Sequence, residues 1–472
     1  MISEKDTICA IATGTGSAGI GIVRISGPDA VGIADRMFRG MRRLTELKSY
    51  TAAFGKLVRL ADTEEVLDEA IALVMRGPHS YTTEDVVEFS CHGGMLVLRR
   101  VLDELVQAGA RLAEPGEFTK RAYLGGRIDL TEAEAVMDVI AAENEHALNA
   151  SLNQLRGGLR DEVSALREKL LYETAYIESA LDDPENYSLD AYEDRIRPVL
   201  TEEGERISRL IADAEEGRML RQGIRTAIVG RPNAGKSSIL NLLLGEDRAI
   251  VTEIAGTTRD ILEEKAVLGG VQLVLIDTAG IRETEDAVER IGVERARAAL
   301  DTAELILLVI DAAERLTEED RELFRNISGT EAPILVLLNK NDLDTVITAS
   351  EVEGQLRASA EQDAVRIAGV IEISAATGEG KDTLAGAVQE LFFKGMLSDS
   401  QEQYLLNTRH KEALRDALDA LHRVVDSVDA GVGEDFYTID LLAAYEALGR
   451  ITGETLEDDL ADKIFAEFCM GK

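Results

Sequence analysis

Residues 230 to 237 read Gly-Arg-Pro-Asn-Ala-Gly-Lys-Ser, with two glycines, a lysine and a hydroxyl at the spacing a phosphate cradle needs. Glycines let backbone N–H groups curl around phosphate oxygens, a lysine here supplies a point charge to the β- and γ-phosphates, and the hydroxyl that follows ligates Mg²⁺. The flanks have the required form. Ala227 to Val229 reads as a strand leading in, and Ser238 to Leu244 as a helix leading out. The expected ligand is a polyphosphate held by Asn233, Ala234, Gly235, Lys236, Ser237 and Ser238.

Three more segments follow in order. Val271 to Ile276 reads as a buried strand ending in Asp277, Thr278, Ala279 and Gly280. An aspartate leaving a strand beside the cradle can hold the Mg²⁺ shell, and the glycine can turn its N–H toward the γ-phosphate. Ile334 to Leu338 leads into Asn339, Lys340, Asn341 and Asp342, and Val370 to Ile373 leads into Ser374, Ala375 and Ala376. Asp342 decides the base. A carboxylate accepts two hydrogen bonds from N1–H and the 2-amino group of guanine, and adenine has no such donor pair. In this order, and each after a strand, the segments resemble the base-reading motifs of GTPases, so GTP with Mg²⁺ is the expected ligand.

Residue 281, where Ras-like proteins place a water-orienting glutamine, is Ile281, which cannot orient water. No arginine finger is identifiable either. Asn233 offers a side-chain oxygen that could coordinate a monovalent cation between the phosphates. Thr252, Glu253, Ile254, Ala255, Gly256, Thr257 and Thr258 read as a switch loop, small enough to wrap such a cation, with a threonine for Mg²⁺ beside Ser237. A polar surface turn is the other reading of that loop.

The elements around these motifs set the organisation. With 472 residues the length suggests about three domains. Residues 1 to about 120 mix strand-like runs (20–27, 70–75, 86–90) with a helix over 94–108, an α+β module. From Thr131 the period becomes helical: Leu148, Leu152, Leu155, Leu159, Val163, Leu166 and Leu170 form a stripe, broken at Asp182-Asp183-Pro184 and resumed at Leu200, Ile207, Leu210 and Ile211. A helical pattern returns at Leu414, Leu418, Leu421, Val425 and Val428. Each stripe must bury itself on something, so one helical domain built from both flanks, with the phosphate-loop module inserted, is the economical solution.

No apolar stretch approaches the length of a membrane span, and the N-terminus lacks a secretory pattern, so a cytoplasmic, membrane-free location is the default. Cys9, Cys91 and Cys469 make no metal or disulfide framework. The net charge of −37 argues against a long nucleic-acid groove on this chain, because phosphate binding is largely a Lys/Arg effect.

Along its full length the chain resembles the MnmE (TrmE) family of tRNA-modification GTPases. The specific marks are G-R-P-N-A-G-K-S at 230–237, A-G-T-T-R-D at 255–260, D-T-A-G-I-R at 277–282, and the terminal Phe468-Cys469-Met470-Gly471-Lys472, where the family usually has isoleucine at the Met470 position. The resemblance implies a multidomain α/β and α architecture: a dimerising, folate-binding α+β domain over 1–122, helical segments over 123–222 and 389–472, and an inserted Ras-like GTPase domain with a mostly parallel sheet over 223–388. It implies a homodimer, an FAD-dependent partner, and a tetrahydrofolate one-carbon unit used to build an aminomethyl-type group on carbon five of the tRNA wobble uridine. Folate contacts carried over are Arg24, Glu88, Arg127 (often lysine in the family) and Lys472. K⁺ ligands carried over are Asn233, Thr252, Ile254 through its carbonyl, and Thr257.

Glu289 matches the family's catalytic glutamate; read alone, it is one of three glutamates with Glu283 and Glu285, as suited to a solvated helix as to catalysis. Cys469 lies close to the implied folate site, which suits a catalytic thiol and equally a packed or solvent-facing one. The competing function is a ribosome-assembly GTPase of the Era or tandem type. That class would show a basic KH-type module or a second phosphate loop, and this chain has neither.

Overall fold

The computed structural model describes residues 6–14, 16–245, 264–276, 300–327, 329–358, 366–393, 404–454, 464–466, 468 and 471, without the side chains of 213–216 and 220. The chain divides into two compact units, one of residues 1–140, 154–207 and 412–472, the other of 141–153 and 208–411.

In the first unit, strands β1 (Ile8–Ile11), β2 (Ile20–Ser26), β3 (Phe38–Gly40), β4 (Thr51–Val58), β5 (Val66–Met75), β6 (Val86–His92) and β7 (Arg111–Leu112) form one sheet in the order β3-β4-β5-β6-β2-β1-β7. Among the described residues only the β1–β7 pairing of this sheet is parallel. Alternation along these strands turns Val23, Ile25, Ala70, Ala72, Val87 and Phe89 inward, where they pack with buried residues of α1 (Ala30–Met37) and α2 (Met95–Gln107). The other face is covered at its β1–β2 end, where Ile8 and Ala10 pack with Phe118, and is open toward β4 and β5. It carries exposed Phe54 and Ile71 and half-buried Leu73 beside Arg24 and Glu88, with Ile71 opposite Phe54 and Arg24 opposite Glu88.

Helices α3 (Glu117–Leu124), α4 (Leu130–Ala141), α5 (Glu145–Leu155), α6 (Gly158–Asp182) and α7 (Tyr192–Gln222) follow. The leucine stripe of 148–170 is not one helix. Gly157, at φ 91, separates α5 from α6, and the buried part of the stripe is Leu159, Val163, Leu166 and Leu170. α6 stops at Asp182, ahead of Pro184, as the sequence predicts.

The second unit holds β8 (Ile224–Val229), α8 (Lys236–Leu244), β9 (Glu264–Leu268), β10 (Val271–Ile276), β11 (Leu305–Asp311), α9 (Glu318–Ile327), β12 (Ile334–Asn339), α10 (Ala349–Ala358), β13 (Ile367–Glu372) and α11 (Lys381–Phe393). Its sheet runs β13-β12-β11-β8-β10-β9, parallel except at β9–β10. Fully buried β11 and β12 show the continuous apolar runs of strands covered on both faces. α12 (Thr408–Asp429) and α13 (Asp435–Thr452) complete the described helices, and α13 packs along α6, where Arg167 lies 4.1 Å from the Tyr445 ring centroid. Among the described residues no helix is long and apolar enough to cross a membrane.

The start of the first unit is tied by charge. Arg121, 10% exposed, reaches Asp6, Glu84 and Glu117, and Arg111 reaches Asp6 and Glu117. The hydrogen bond from Arg111 is the main cause holding Asp6 below its ordinary 3.8. Burial pushes Glu117 up, but Arg111, the Glu114 amide and Arg121 together hold it below 4.5. Both folded-state values are depressed, so the stability they contribute is complete above the ordinary values and is lost as pH falls through the lower folded ones. Removing one partner of a buried pair costs about 3–5 kcal/mol. Arg121→Met should therefore lower the opening free energy of β1 and α3 amides by about 3 kcal/mol in hydrogen exchange and flatten the acid loss of protection. Unchanged protection would contradict this account.

Candidate nucleotide site and a polar site on the open sheet face

β8 sits between β10 on one side and β11 on the other, the point where the strand order reverses and where open α/β sheets bind ligands. The phosphate loop leaves its C-terminal end and closes into α8. Asn233 is at φ 64 and Gly235 at φ 100, so the loop uses two left-handed residues to curl inward. Ala234 is fully buried, while Asn233, Ser237 and Ser238 are exposed.

Lys236 Nζ donates to the carbonyl oxygens of Gly230 (2.7 Å) and Arg231 (2.9 Å). Burial pushes its ammonium down from 10.5, since it is largely removed from water. A phosphate would supply the counter-charge. Ser237, on the first turn of α8 beside Lys236, suits a Mg²⁺ ligand, and the exposed Asn233 amide suits a monovalent cation.

The base-reading segments converge on the same edge. Asn339 Nδ2 donates to Ala234 O at 3.0 Å, and Asn339 Oδ1 accepts the Ala375 N–H at 3.0 Å. One buried amide thus ties the phosphate loop to both base-side loops. Asp342 is exposed, and its Oδ1 accepts the hydroxyl of fully buried Ser374 at 2.6 Å. Ala376 is exposed on the turn after Ser374. Thr252, Glu253, Ile254, Ala255, Gly256, Thr257, Thr258, Asp277, Thr278, Ala279, Gly280 and Glu289 lie outside the described residues. The reading from sequence passed over Arg231, which pairs with Glu314 and lies 3.9 Å from Asp311, and over Asp311 itself, 2.6 Å from Lys340 Nζ.

A second polar group stands in the first unit. Arg24 Nε donates to Glu88 Oε1 at 2.7 Å, with both side chains mostly buried. The Arg24 guanidinium is 5.2 Å from the Tyr81 ring centroid and 5.4 Å from that of Phe118, and Arg127 is 4.8 Å from the same Tyr81 ring. Arg127 also donates to the Tyr81 carbonyl. The ring of Tyr81 thus joins Arg24, Glu88 and Arg127 into one constellation. Its signal was available: it lies seven residues before Glu88 in Ser-Tyr-Thr-Thr-Glu-Asp-Val-Val-Glu. Arg24 Nη1 also approaches the Gly471 carbonyl at 3.5 Å, so the chain end reaches this site, while Cys469 and Lys472 lie outside the described residues.

The comparisons with known proteins agree in extent. The family model described as the MnmE helical domain matches residues 130–469, and that of the GTP-binding protein TrmE N-terminus matches residues 7–127. A protein named tRNA modification GTPase MnmE from Lachnoclostridium phytofermentans is 49% identical over 472 residues, covering 99% of this chain and 100% of that protein. Proteins of the same name from Enterococcus faecalis and Bacillus cereus are each 44% identical, again over 99% of this chain and 99% and 100% of theirs. With matches of that length at both ends and a GTPase-type phosphate loop between them, this chain belongs to the MnmE (TrmE) family of tRNA modification GTPases.

Proposed function

We propose that this chain hydrolyses GTP with Mg²⁺ and K⁺ and couples the cycle to modification of the tRNA wobble uridine. It works as a homodimer with an FAD-dependent partner and a tetrahydrofolate one-carbon unit. The observation that carries the nucleotide reading is the Asn339 amide, which joins the phosphate loop to the loops bearing Asp342 and Ala375. Asp342 reads guanine with its carboxylate, Lys236 holds the β- and γ-phosphates, and Ser237 and Thr258 ligate Mg²⁺. The tRNA part of the reading rests on the full-length relatives. The folate reading is supported by the Arg24, Glu88, Tyr81 and Arg127 constellation: a carboxylate can read a pterin edge, and cations can hold a glutamate tail. The open sheet face with Phe54 and Ile71 supports pairing of two copies there.

Hydrolysis needs a charge stabiliser and a water-orienting group. On this reading Asn233, Thr252, Thr257 and the Ile254 carbonyl hold K⁺, and Glu289 orients the water where Ile281 cannot. Steady-state rates should be higher in KCl than in NaCl at equal ionic strength, and Asn233→Ala should erase the difference. In the same assay Glu289→Ala should lower kcat by roughly 10²–10⁴ with GTP affinity near that of the unaltered chain. Equal rates in the two salts, or an unchanged kcat, would remove the respective assignment.

Mass spectrometry of wobble uridines in a strain lacking this protein tests the function itself. Modification should vanish, return with the unaltered gene, and fail to return with Glu88→Gln even though that variant keeps its GTPase rate. Full restoration by Glu88→Gln would count against the folate site, and modification that persists without the protein would count against the whole reading.

With 88 acidic and 51 basic residues, this chain is poorly suited to hold RNA by itself. Most tRNA affinity should reside in the FAD-bearing partner. A titration at physiological salt with each protein alone checks the division, and tight, steeply salt-dependent binding by this chain would reverse it.

A further inference from the structure

One buried carboxylate stands between the two halves of the nucleotide site. Asp311 ends β11 with a side chain only 3% exposed. Its Oδ1 accepts the Ala313 N–H at 3.0 Å, and its Oδ2 accepts from Lys340 Nζ at 2.6 Å. The same Oδ2 lies 3.9 Å from Arg231 Nη2. Arg231 belongs to the phosphate loop and Lys340 to the base-reading loop. Arg231 also pairs with Glu314, and its Nε lies 3.7 Å from Asp320.

We propose that Asp311 is a positioning residue for nucleotide binding, setting the Lys340 stem and the first turn of the phosphate loop in fixed relation before the nucleotide arrives. The proposal rests on the guanine-nucleotide reading above. Lys340 needs such a hold for two reasons. Its backbone sits at φ 67, a left-handed conformation that a non-glycine residue keeps only when its surroundings impose it. Its four-carbon side chain would otherwise lose its rotamer freedom at the moment of binding, at the expense of affinity. Asp311 has already removed that freedom on folding. Arg231 extends the hold to the phosphate side, with its guanidinium shared among Asp311, Glu314 and Asp320.

Electrostatics and positioning act here with opposite sign, which makes the idea decidable. Asp311 is a negative charge close to a site for a polyanion. If its charge acted only through the field, Asp311→Asn would tighten nucleotide binding. If it acts by holding Lys340 and Arg231, the same change weakens binding. Because the hold precedes contact with the γ-phosphate, GDP and GTP should lose affinity equally, and the loss should appear in KM far more than in kcat.

The test is calorimetric titration of the full chain with GDP, and with GTP and Mg²⁺, alongside steady-state kinetics. Asp311→Asn should weaken both nucleotides about tenfold, the scale of one hydrogen bond to a charged group. If Asp311 acts through Lys340, the double change Asp311→Asn with Lys340→Met should bind GDP no more weakly than Lys340→Met alone. Unchanged or tighter binding by Asp311→Asn, full additivity in the double variant, or a loss confined to kcat would overturn the proposal. Should Asp311→Asn not fold, Arg231→Gln decides: an equal loss for GDP and GTP supports the hold, and unaltered affinity overturns it. Absence of GDP binding by the unaltered chain would remove the guanine reading and this inference with it. Binding by the unaltered chain with undiminished affinity in the variants removes the inference alone.

Discussion

A phosphate cradle needs backbone amides that stay curled inward, and a curl of that kind is held only where something rigid backs it. Here the backing comes from two sides. A Cβ on Gly235 would lie 2.1 Å from the Asn339 amide nitrogen, so the loop can approach Asn339 only because that residue is glycine. A Cβ on Gly230 would lie 2.5 Å from the Val309 carbonyl, so the first turn packs equally close to β11. Both β11 and β12 are buried along their length and cannot give way. The two glycines of the motif therefore answer to two neighbours that arrive about eighty and one hundred residues later in the chain. Without the sheet order that sets β11 beside β8 and β12 next beyond it, the same eight residues would lack both of these backings.

That dependence explains what could be read in the sequence and what could not. The strands and the phosphate loop were legible because their signals are local: apolar runs, glycine spacing, and a helix pattern directly behind. β8, β10 and β12 contain the apolar runs that lead into their motifs, while β13 starts three residues before its run and ends at Glu372. Asp311 and Arg231 were not legible, because nothing in Ile-Asp-Ala or Gly-Arg-Pro states that the two meet. Their meeting is a product of strand order. The stripe from Leu148 to Leu170 misled in the opposite way. Its spacing stays helical through Arg156 and Gly157, yet the backbone turns left-handed there, and periodicity is blind to a single φ. Tyr81 is a milder case: it reads as one more loop aromatic until the fold lays it beside Arg24 and Arg127.

The placement of the arginines bears on the charge. In the first unit Arg24, Arg121, Arg167 and Arg206 have most of their side-chain surface covered, each against at least one carboxylate. Arg195 lies over the Tyr176 ring at 4.0 Å while holding Glu173. A guanidinium spent on internal carboxylates and rings contributes fold specificity and little long-range field. Because each of these arginines is matched by a carboxylate, the pairs leave the acidic surplus of the chain as it stands. Buried pairs of this type add little net stability, but losing one partner is costly, so these arginines resist substitution for structural reasons.

The Arg24 and Glu88 constellation differs in its surroundings from an ion pair on a solvated face. Arg24 and Glu88 are direct cross-strand neighbours, and such a pair on a solvated sheet face would add well under 1 kcal/mol. This one is instead walled by Tyr81 and Phe118, with the chain end brought to it by a separate anchor. Phe465 and Phe468 pack with Leu130 and Ala133, and Gly116 lets that tail pass, since a Cβ there would lie 2.4 Å from the Phe465 carbonyl. Gly471 does the same against Ile11. A surface ion pair has no need of two aromatic walls or of a tail threaded through two glycine contacts. On the folate reading proposed above, such walls would favour Glu88, because a carboxylate reads hydrogen-bond donors far better when water does not compete for it.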